Sequence, residues 1–200
     1  MPGLFSDANS IRVIDMDGQV DYFVSAFSTQ IADRLFLELS ENIHWQKDRL
    51  TVFGKEYVME RQVAWYADQP FQYTYSKSTK IALPWSVSLI EIKNSIEQLT
   101  GFSFNACLLN LYPTGSDGMG WHSDDEDSLV KHAPIASVSF GAARNFSFKH
   151  KHSGKKQSIF LEHGSLLTMT GELQSHWWHS LPKSKRIFST RINLTFRTMK

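Results

Sequence analysis

The chain has 200 residues, 42% of them hydrophobic and 13% aromatic, enough for one domain with a real apolar core; an intrinsically disordered chain is excluded. A single cysteine, Cys107, excludes an internal disulfide and a thiolate zinc cage, and it points to a reducing, intracellular setting. A net charge of +1 gives no global pull on polyanions, so any nucleic-acid contact has to come from local basic runs such as KHKHSGKK (Lys149 to Lys156) and Lys183, Lys185 and Arg186.

The opening MPGLFSDANSIRV lacks a basic stretch followed by an apolar one, so no signal peptide is read there, and no apolar run reaches the ~20 residues that span a bilayer. The stretch from Arg12 to Tyr75 holds one helix and several extended pieces whose architecture the pattern defines only coarsely. That helix runs from about Ser25 to Asn42, with Ile31, Leu35 and Leu39 recurring every fourth residue. A second helix follows Pro84, which suits a first helical turn; Trp85, Leu89, Ile92, Ile96 and Leu99 form its apolar stripe and Gly101 its C-terminal cap. Strands are predicted at 104–112, 135–140, 144–149, 158–162, 165–170 and 190–197. Many short strands separated by glycine and proline indicate a two-sheet sandwich or jelly roll, with the helices packed on one side.

Within GWHSDDED, His122 and Asp124 are one residue apart, so on extended backbone both side chains share a face and can grip one ion. The pair alone is common by chance, and a third ligand has to come from elsewhere; His179 in WWHSLP is the candidate. Two histidines and one carboxylate with open positions is the facial arrangement of non-haem iron oxygenases, with a zinc-bound water as the rival use of the same ligands. The last strand adds an independent signal. Across RINLTFR the odd positions Arg191, Asn193, Thr195 and Arg197 are polar and the even ones apolar, so one face enters the core and the other presents two guanidiniums and an amide. Such a face suits a small dicarboxylate, because guanidinium pairs with carboxylate through parallel hydrogen bonds. Asn110 and Tyr112 fall together on one side of their own strand and can complete that pocket.

NLYPTGSDGMGWHSDDE, PIASVSFGAARNFSFKHK, HGSLLTM, HWWHSLP and RINLTFR, in this order over the last hundred or so residues, resemble the AlkB family of alkylation-repair dioxygenases; VFGKEY (Val52 to Tyr57) and YTYSK (Tyr73 to Lys77) echo it earlier. The resemblance implies an α+β, mainly β fold: a single dioxygenase domain over 1–200, with a double-stranded β-helix core at about 104–200, helices on one side, and a nucleotide-recognition lid at about 48–80. It implies iron(II) held by His122, Asp124 and His179, with His176 set aside because the family's ligand directly precedes Ser-Leu-Pro. It implies 2-oxoglutarate held at its two ends by Arg191 and Arg197, with hydrogen bonds from Asn110, Tyr112 and Asn193. The implied reaction uses dioxygen to turn 2-oxoglutarate into succinate while hydroxylating an N-alkyl carbon, which then leaves as an aldehyde.

The implied substrates are bases of the 1-methyladenine and 3-methylcytosine type in DNA, with RNA or free nucleotides as the alternative substrate and a non-catalytic nucleic-acid-binding module as the alternative class. The protein is then expected as a monomer, in the cytoplasm of a bacterium or the nucleus of a eukaryote. A base inside a duplex has to be flipped or met on a single strand. The family pattern implies that Tyr75 and His122 sandwich the cationic ring, that Glu126 offers it a carboxylate, that Phe53 wedges the stack, and that Arg144 joins the KHKHSGKK loop as a phosphate clamp. Ser123 stands where duplex-preferring relatives often carry arginine, so Phe53 and Ser123 point in opposite directions on strand preference.

Overall fold

The computed structural model describes residues 10–52, 55–75 and 78–200, and the side chains of all of these except 48–52, 55–57, 73–75 and 78–80. The N-terminal half contributes β1 (Ser10–Ile14), β2 (Gln19–Phe23), α1 (Thr29–Asn42), β3 (Gln46–Val52), β4 (Lys55–Ala67), β5 (Gln72–Tyr75), β6 (Ser78–Ile81) and α2 (Val87–Thr100). The C-terminal half contributes β7 (Ala106–Tyr112), β8 (Met119–His122), β9 (Ile135–Gly141), β10 (Arg144–His150), β11 (Lys156–Leu161), β12 (Ser165–Thr170), the one-turn α3 (Leu173–His176), β13 (Trp177–Leu181) and β14 (Arg191–Arg197).

Among the described residues the strands form a large sheet ordered β1-β2-β12-β9-β14-β7-β4-β3, a small sheet ordered β11-β10-β13-β8, and the separate β5–β6 hairpin. From β7 to β10 successive strands alternate between the large and the small sheet, and β12 to β14 do so again. This is the interleaved topology of a jelly roll. The expected mainly β fold with helices on one side is therefore what the chain adopts. The region expected as a lid is not wholly separate, since β4 pairs with β7 from Gln62↔Leu111 to Ala67↔Ala106 and so extends the large sheet.

Both helices start later than the apolar pattern predicts, and a cap explains each. The Ser28 side chain accepts from Ile31 N–H and starts α1 at Thr29; the Ser86 side chain accepts from Leu89 N–H, which leaves Pro84 outside α2. Gly101 closes α2 in the left-handed conformation (φ 73°), as its position predicts. Leu35 and Leu39 of α1 and Leu89, Ile92 and Ile96 of α2 pack on Ile192, Leu194 and Phe196 of β14, each of these side chains burying at about 1.5–3 kcal/mol. A second cluster, with Phe148, Leu161 and Trp177 facing Val20, Leu167 and Met169, fills one end of the space between the sheets. At the other end polar side chains face inward among apolar ones, and the sandwich encloses a cavity instead of a core.

Candidate metal and cosubstrate site

The cavity, about 390 Å³, opens between β7, β4 and β14 of the large sheet and β8, β10 and β13 of the small one. β14 shows why it is polar. Its even positions are sealed under the helices with 0% exposure, so the pleat forces Arg191, Asn193, Thr195 and Arg197 onto the opposite face, where all four line the cavity. Asn110 and Tyr112 line it from β7, as their shared parity predicts.

Three candidate ligands meet at one end. His122 and His179 are register partners across β8 and β13, with ring centroids 4.3 Å apart. Asp124 lies just past the end of β8, and its Oδ1 is 3.9 Å from His122 Nε2 and 4.0 Å from His179 Nε2. One donor atom from each of the three falls within 4.8 Å of the other two. The His122 Nδ1–H donates to the Gly120 carbonyl at 2.8 Å, which fixes the tautomer and leaves the Nε2 lone pair facing the carboxylate. His179 is packed among Phe146 and Phe148, and burial drops its pKa to about 4, so it stands neutral and ligand-ready at neutral pH.

Buried Asp124 is pushed up by desolvation, but the charge of Arg197 (Nη2–Oδ1 2.9 Å) and the two imidazoles hold its pKa below the usual value. Two hydrogen bonds set the ligand loop: Gln174 accepts from Asp124 N–H at 2.9 Å, and Ser123 Oγ donates to the Trp177 carbonyl at 3.0 Å. Two imidazole nitrogens and a carboxylate oxygen on one wall, with open cavity before them, suit an ion that keeps free positions for other ligands.

The far end of the cavity fits an anion. Arg191 is 2% exposed; its Nη2 donates to Ser139 Oγ at 3.0 Å and its face lies on the Tyr112 ring, yet among the described residues its buried Nε has no hydrogen-bond partner. Burial lowers its pKa to about 10, which still leaves it charged at neutral pH. A buried guanidinium with an open donor is costly until a carboxylate arrives. Asn193 differs from expectation in its donors: its Nδ2 is already committed to Ser137 Oγ at 2.8 Å and the Val138 carbonyl at 3.0 Å.

One other expectation finds different surroundings. Arg144 does not reach a surface where phosphates pass. It is 1% exposed, and its guanidinium donates to the carbonyls of Thr114 (3.4 Å), Asp117 (3.0 Å) and Pro182 (2.8 Å), bracing the loop before β8 against the loop after β13. Glu126 borders the cavity, with Oε1 3.7 Å from Arg197 Nη1. Phe53 and the side chain of Tyr75 lie outside the described residues.

Sequence reasoning missed Arg61, 2% exposed, which enters the cavity from β4 beside Val63. Its backbone N–H donates to Asp117 Oδ2 at 2.6 Å, tying β4 to the loop before β8. The only signal for it was an arginine sharing strand parity with Val63 and Trp65. A second histidine group, Asp17, His150 and His176, also has ligand atoms within 4.8 Å. There His150 Nδ1 accepts from Ser153 N–H at 3.0 Å, so neutral His150 carries its proton on Nε2 and donates it to Asp17 at 3.0 Å. That group is a hydrogen-bonded brace between the β1–β2 turn and the end of β10.

Residues 19–197 match the family profile of the 2OG-Fe(II) oxygenase superfamily. DNA oxidative demethylase ALKBH2 of Homo sapiens is 40% identical over 206 residues, which cover 98% of this chain and 79% of that protein. The Mus musculus protein of the same name is 41% identical over 188 residues, covering 88% and 78%. Alpha-ketoglutarate-dependent dioxygenase alkB homolog 3 of Homo sapiens is 38% identical, covering 94% and 73%. The solved structure of OsALKBH1 shares the fold with a TM-score of 0.62 at 17% identity, covering 94% of this chain and 100% of that one. A jelly roll that puts two histidines and an aspartate beside paired buried arginines carries the sequence signature of these relatives at 38–41% identity over most of its length, and the chain belongs to the AlkB family of the 2OG-Fe(II) oxygenase superfamily.

Proposed function

We propose that the protein oxidatively dealkylates N-alkylated bases, of the 1-methyladenine and 3-methylcytosine type, in DNA. The observation that carries this reading is the convergence of His122, Asp124 and His179 with Arg197 and Arg191 on a single cavity. The names of the ALKBH2 relatives, DNA oxidative demethylases, supply the substrate class.

In this reading His122, Asp124 and His179 hold iron(II), and Arg191 and Arg197 hold 2-oxoglutarate at its two ends, with Asn110, Tyr112 and Asn193 beside it. Iron(II) held there would supply the oxidation of the alkyl carbon by dioxygen, coupled to decarboxylation of 2-oxoglutarate to succinate and carbon dioxide, and the hydroxyalkyl amine so formed would lose an aldehyde by breaking its C–N bond. The protein's share is positional. The Gly120 carbonyl and the Gln174 amide hold two of the ligands in place, while Arg197 keeps Asp124 ionised and so ready to bind metal. Leu108, Met119, Phe146 and Leu181 line the cavity with apolar surface that restricts water.

The region about 48–80, with the β5–β6 hairpin, serves as the nucleotide-recognition lid, and Glu126, at the cavity wall, faces the cationic ring. The enzyme works as a monomer inside the cell, a reading that buried, unpaired Cys107 supports. Among the described residues no helix is long and apolar enough to cross a membrane.

The test is anaerobic loading with iron(II) and 2-oxoglutarate, then exposure to oxygen with single- and double-stranded oligonucleotides carrying 1-methyladenine or 3-methylcytosine. Mass-resolved loss of one methyl per lesion, with matching succinate and formaldehyde, is the expected result. Succinate formed without any base repair on DNA would overturn the substrate assignment.

A further inference from the structure

Each candidate ligand histidine is preceded by a tryptophan, and the register decides where those tryptophans go. His122 and His179 face each other across β8 and β13 and both look into the cavity. Trp121, beside the irregular register of β8 between Met119 and His122, stands exposed at the cavity's rim, and Trp178, flanked by inward-turned Trp177 and His179, projects from the outer face of the small sheet. They remain 46% and 36% exposed, unusual for indoles. On the next strand Lys149 is the register partner of Trp178 and holds its ammonium 5.7 Å from the indole centroid. On the strand beyond, Lys156 is the partner of Lys149.

The outer face therefore carries a register row across three strands, Lys156, Lys149 and Trp178, with Trp121 set diagonally beyond it on β8, since it is His122 that pairs with His179. At about 4.8 Å per strand the in-register part of the row runs roughly 10 Å before the diagonal step to Trp121. Trp121 borders the cavity. The remaining outward positions of β10, β11 and β13 are asparagine, serine and one phenylalanine, with no carboxylate among them.

We propose that this row seats the single-stranded DNA that flanks the alkylated base, with bases stacking on Trp178 and Trp121 and phosphates meeting Lys149 and Lys156. The proposal rests on the reading that the cavity receives a nucleobase, and it names the form in which that base is presented. Open indoles reward unstacked bases, because every base has a π face to offer and each such stack strengthens binding about tenfold or more. In a duplex those faces are already occupied by neighbouring pairs. Lysines and the absence of carboxylates complement the phosphate charge. An aromatic and cationic track that starts at the cavity mouth is what a strand needs if one base enters and its neighbours stay outside.

The decisive measurement is the binding of a fluorescently labelled, unmodified twelve-nucleotide single strand, and of its duplex, to the full chain without iron or 2-oxoglutarate. Trp178→Ala is expected to weaken single-strand binding about tenfold to a hundredfold, with less than twofold change on the duplex. Trp178→Phe keeps an aromatic face and is expected to recover most of the affinity, which separates stacking from damage to the neighbouring His179. Lys149→Ala is expected to reduce the slope of log affinity against log salt by about 0.7. Single-strand affinity unchanged in Trp178→Ala, equal losses in the Ala and Phe variants, or equal losses on single strand and duplex would each overturn the proposal. Because these oligonucleotides carry no lesion, the outcome is independent of repair: tight, Trp178-dependent binding without any dealkylation would sink the proposed function and leave this inference standing.

Discussion

Arg144→Ala separates two roles for one guanidinium. As a phosphate contact, Arg144 would sit in solvent, and its removal would lower the salt dependence of DNA binding while leaving stability alone. The structure gives it the other role, 1% exposed and donating to the carbonyls of Thr114, Asp117 and Pro182, with its face 5.7 Å from the Tyr112 ring centroid. Hydrogen bonds from a charged donor contribute about 1.5–3 kcal/mol each, and two of the three are short. With carbonyls left unpaired and a large side chain deleted, a loss of about 3–5 kcal/mol is expected. At roughly 2–4 °C per kcal/mol for a chain of this size, Tm falls on the order of 10 °C. Thermal and denaturant unfolding of the metal-free protein measure this, alongside the salt slope of oligonucleotide binding. Unchanged stability together with a shallower salt slope would refute the bracing role.

Three further outcomes follow from particular contacts. Gly118→Ala puts a Cβ 2.3 Å from the Leu181 carbonyl, so the loop leading to His122 has to move away from β13; iron(II) affinity measured by titration should fall about tenfold or more, and an unaltered affinity would show that the loop yields without disturbing the ligands. Arg191→Met removes a buried cation with an unpartnered Nε, so the metal-free protein should be no less stable while the thermal stabilisation by 2-oxoglutarate disappears and its KM rises on the order of a hundredfold; unchanged cosubstrate dependence would rule the anchor out. His179 has its pKa lowered by burial to about 4, against 6.5 when unfolded, so the unfolded state binds the extra proton first: metal-free protein should lose about 3 kcal/mol as pH falls from 6.5 to 4, above the range where lowered Asp124 titrates, and a His179→Asn variant should show a flatter profile there.

The C-terminal half was legible because each strand obeys a period of two and is bounded by its own turn. RINLTFR is the clearest case: its parity alone divides residues that line the cavity from residues under the helices, and the structure keeps that division. Asn110 and Tyr112 were found in the same way. Before residue 76 the pattern fails for a physical reason. QKDRLTV is the edge strand of the large sheet, and KEYVMERQVAWYA beside it pairs with β7 only from Gln62 to Ala67, so its first half lacks the second neighbour that enforces alternation. β8 is only MGWH and β13 is the unbroken WWHSL, too short for periodicity to declare itself. Arg144 was misplaced although its parity was available, since it shares a face with Phe146 and Phe148, both turned inward. A charged side chain on an inward-facing strand position is buried by the strand's parity, whatever its charge. What parity could not supply was pairing: that His122 meets His179 and Arg197 meets Asp124 depends on the crossovers between sheets, which no local window contains.

The charges around the cavity bear on the order in which its occupants arrive. Arg61, Arg191 and Arg197 line it against Asp124 and Glu126, one formal positive charge in excess among these five side chains. A divalent ion at His122, Asp124 and His179 raises that excess to three, in a space where partial exclusion of water strengthens every interaction. A dicarboxylate brings it back to one. A cationic base entering before the dicarboxylate therefore meets the strongest repulsion the cavity can offer, and one entering after it meets the weakest. Glu126 then matters for its position more than its charge, since it stands at the wall with Arg197 as its neighbour and is the carboxylate beyond the metal ligands that can face the ring. Metal first, dicarboxylate second and base last is the order in which the dicarboxylate meets the most positive cavity and the cationic base the least positive one that holds the metal.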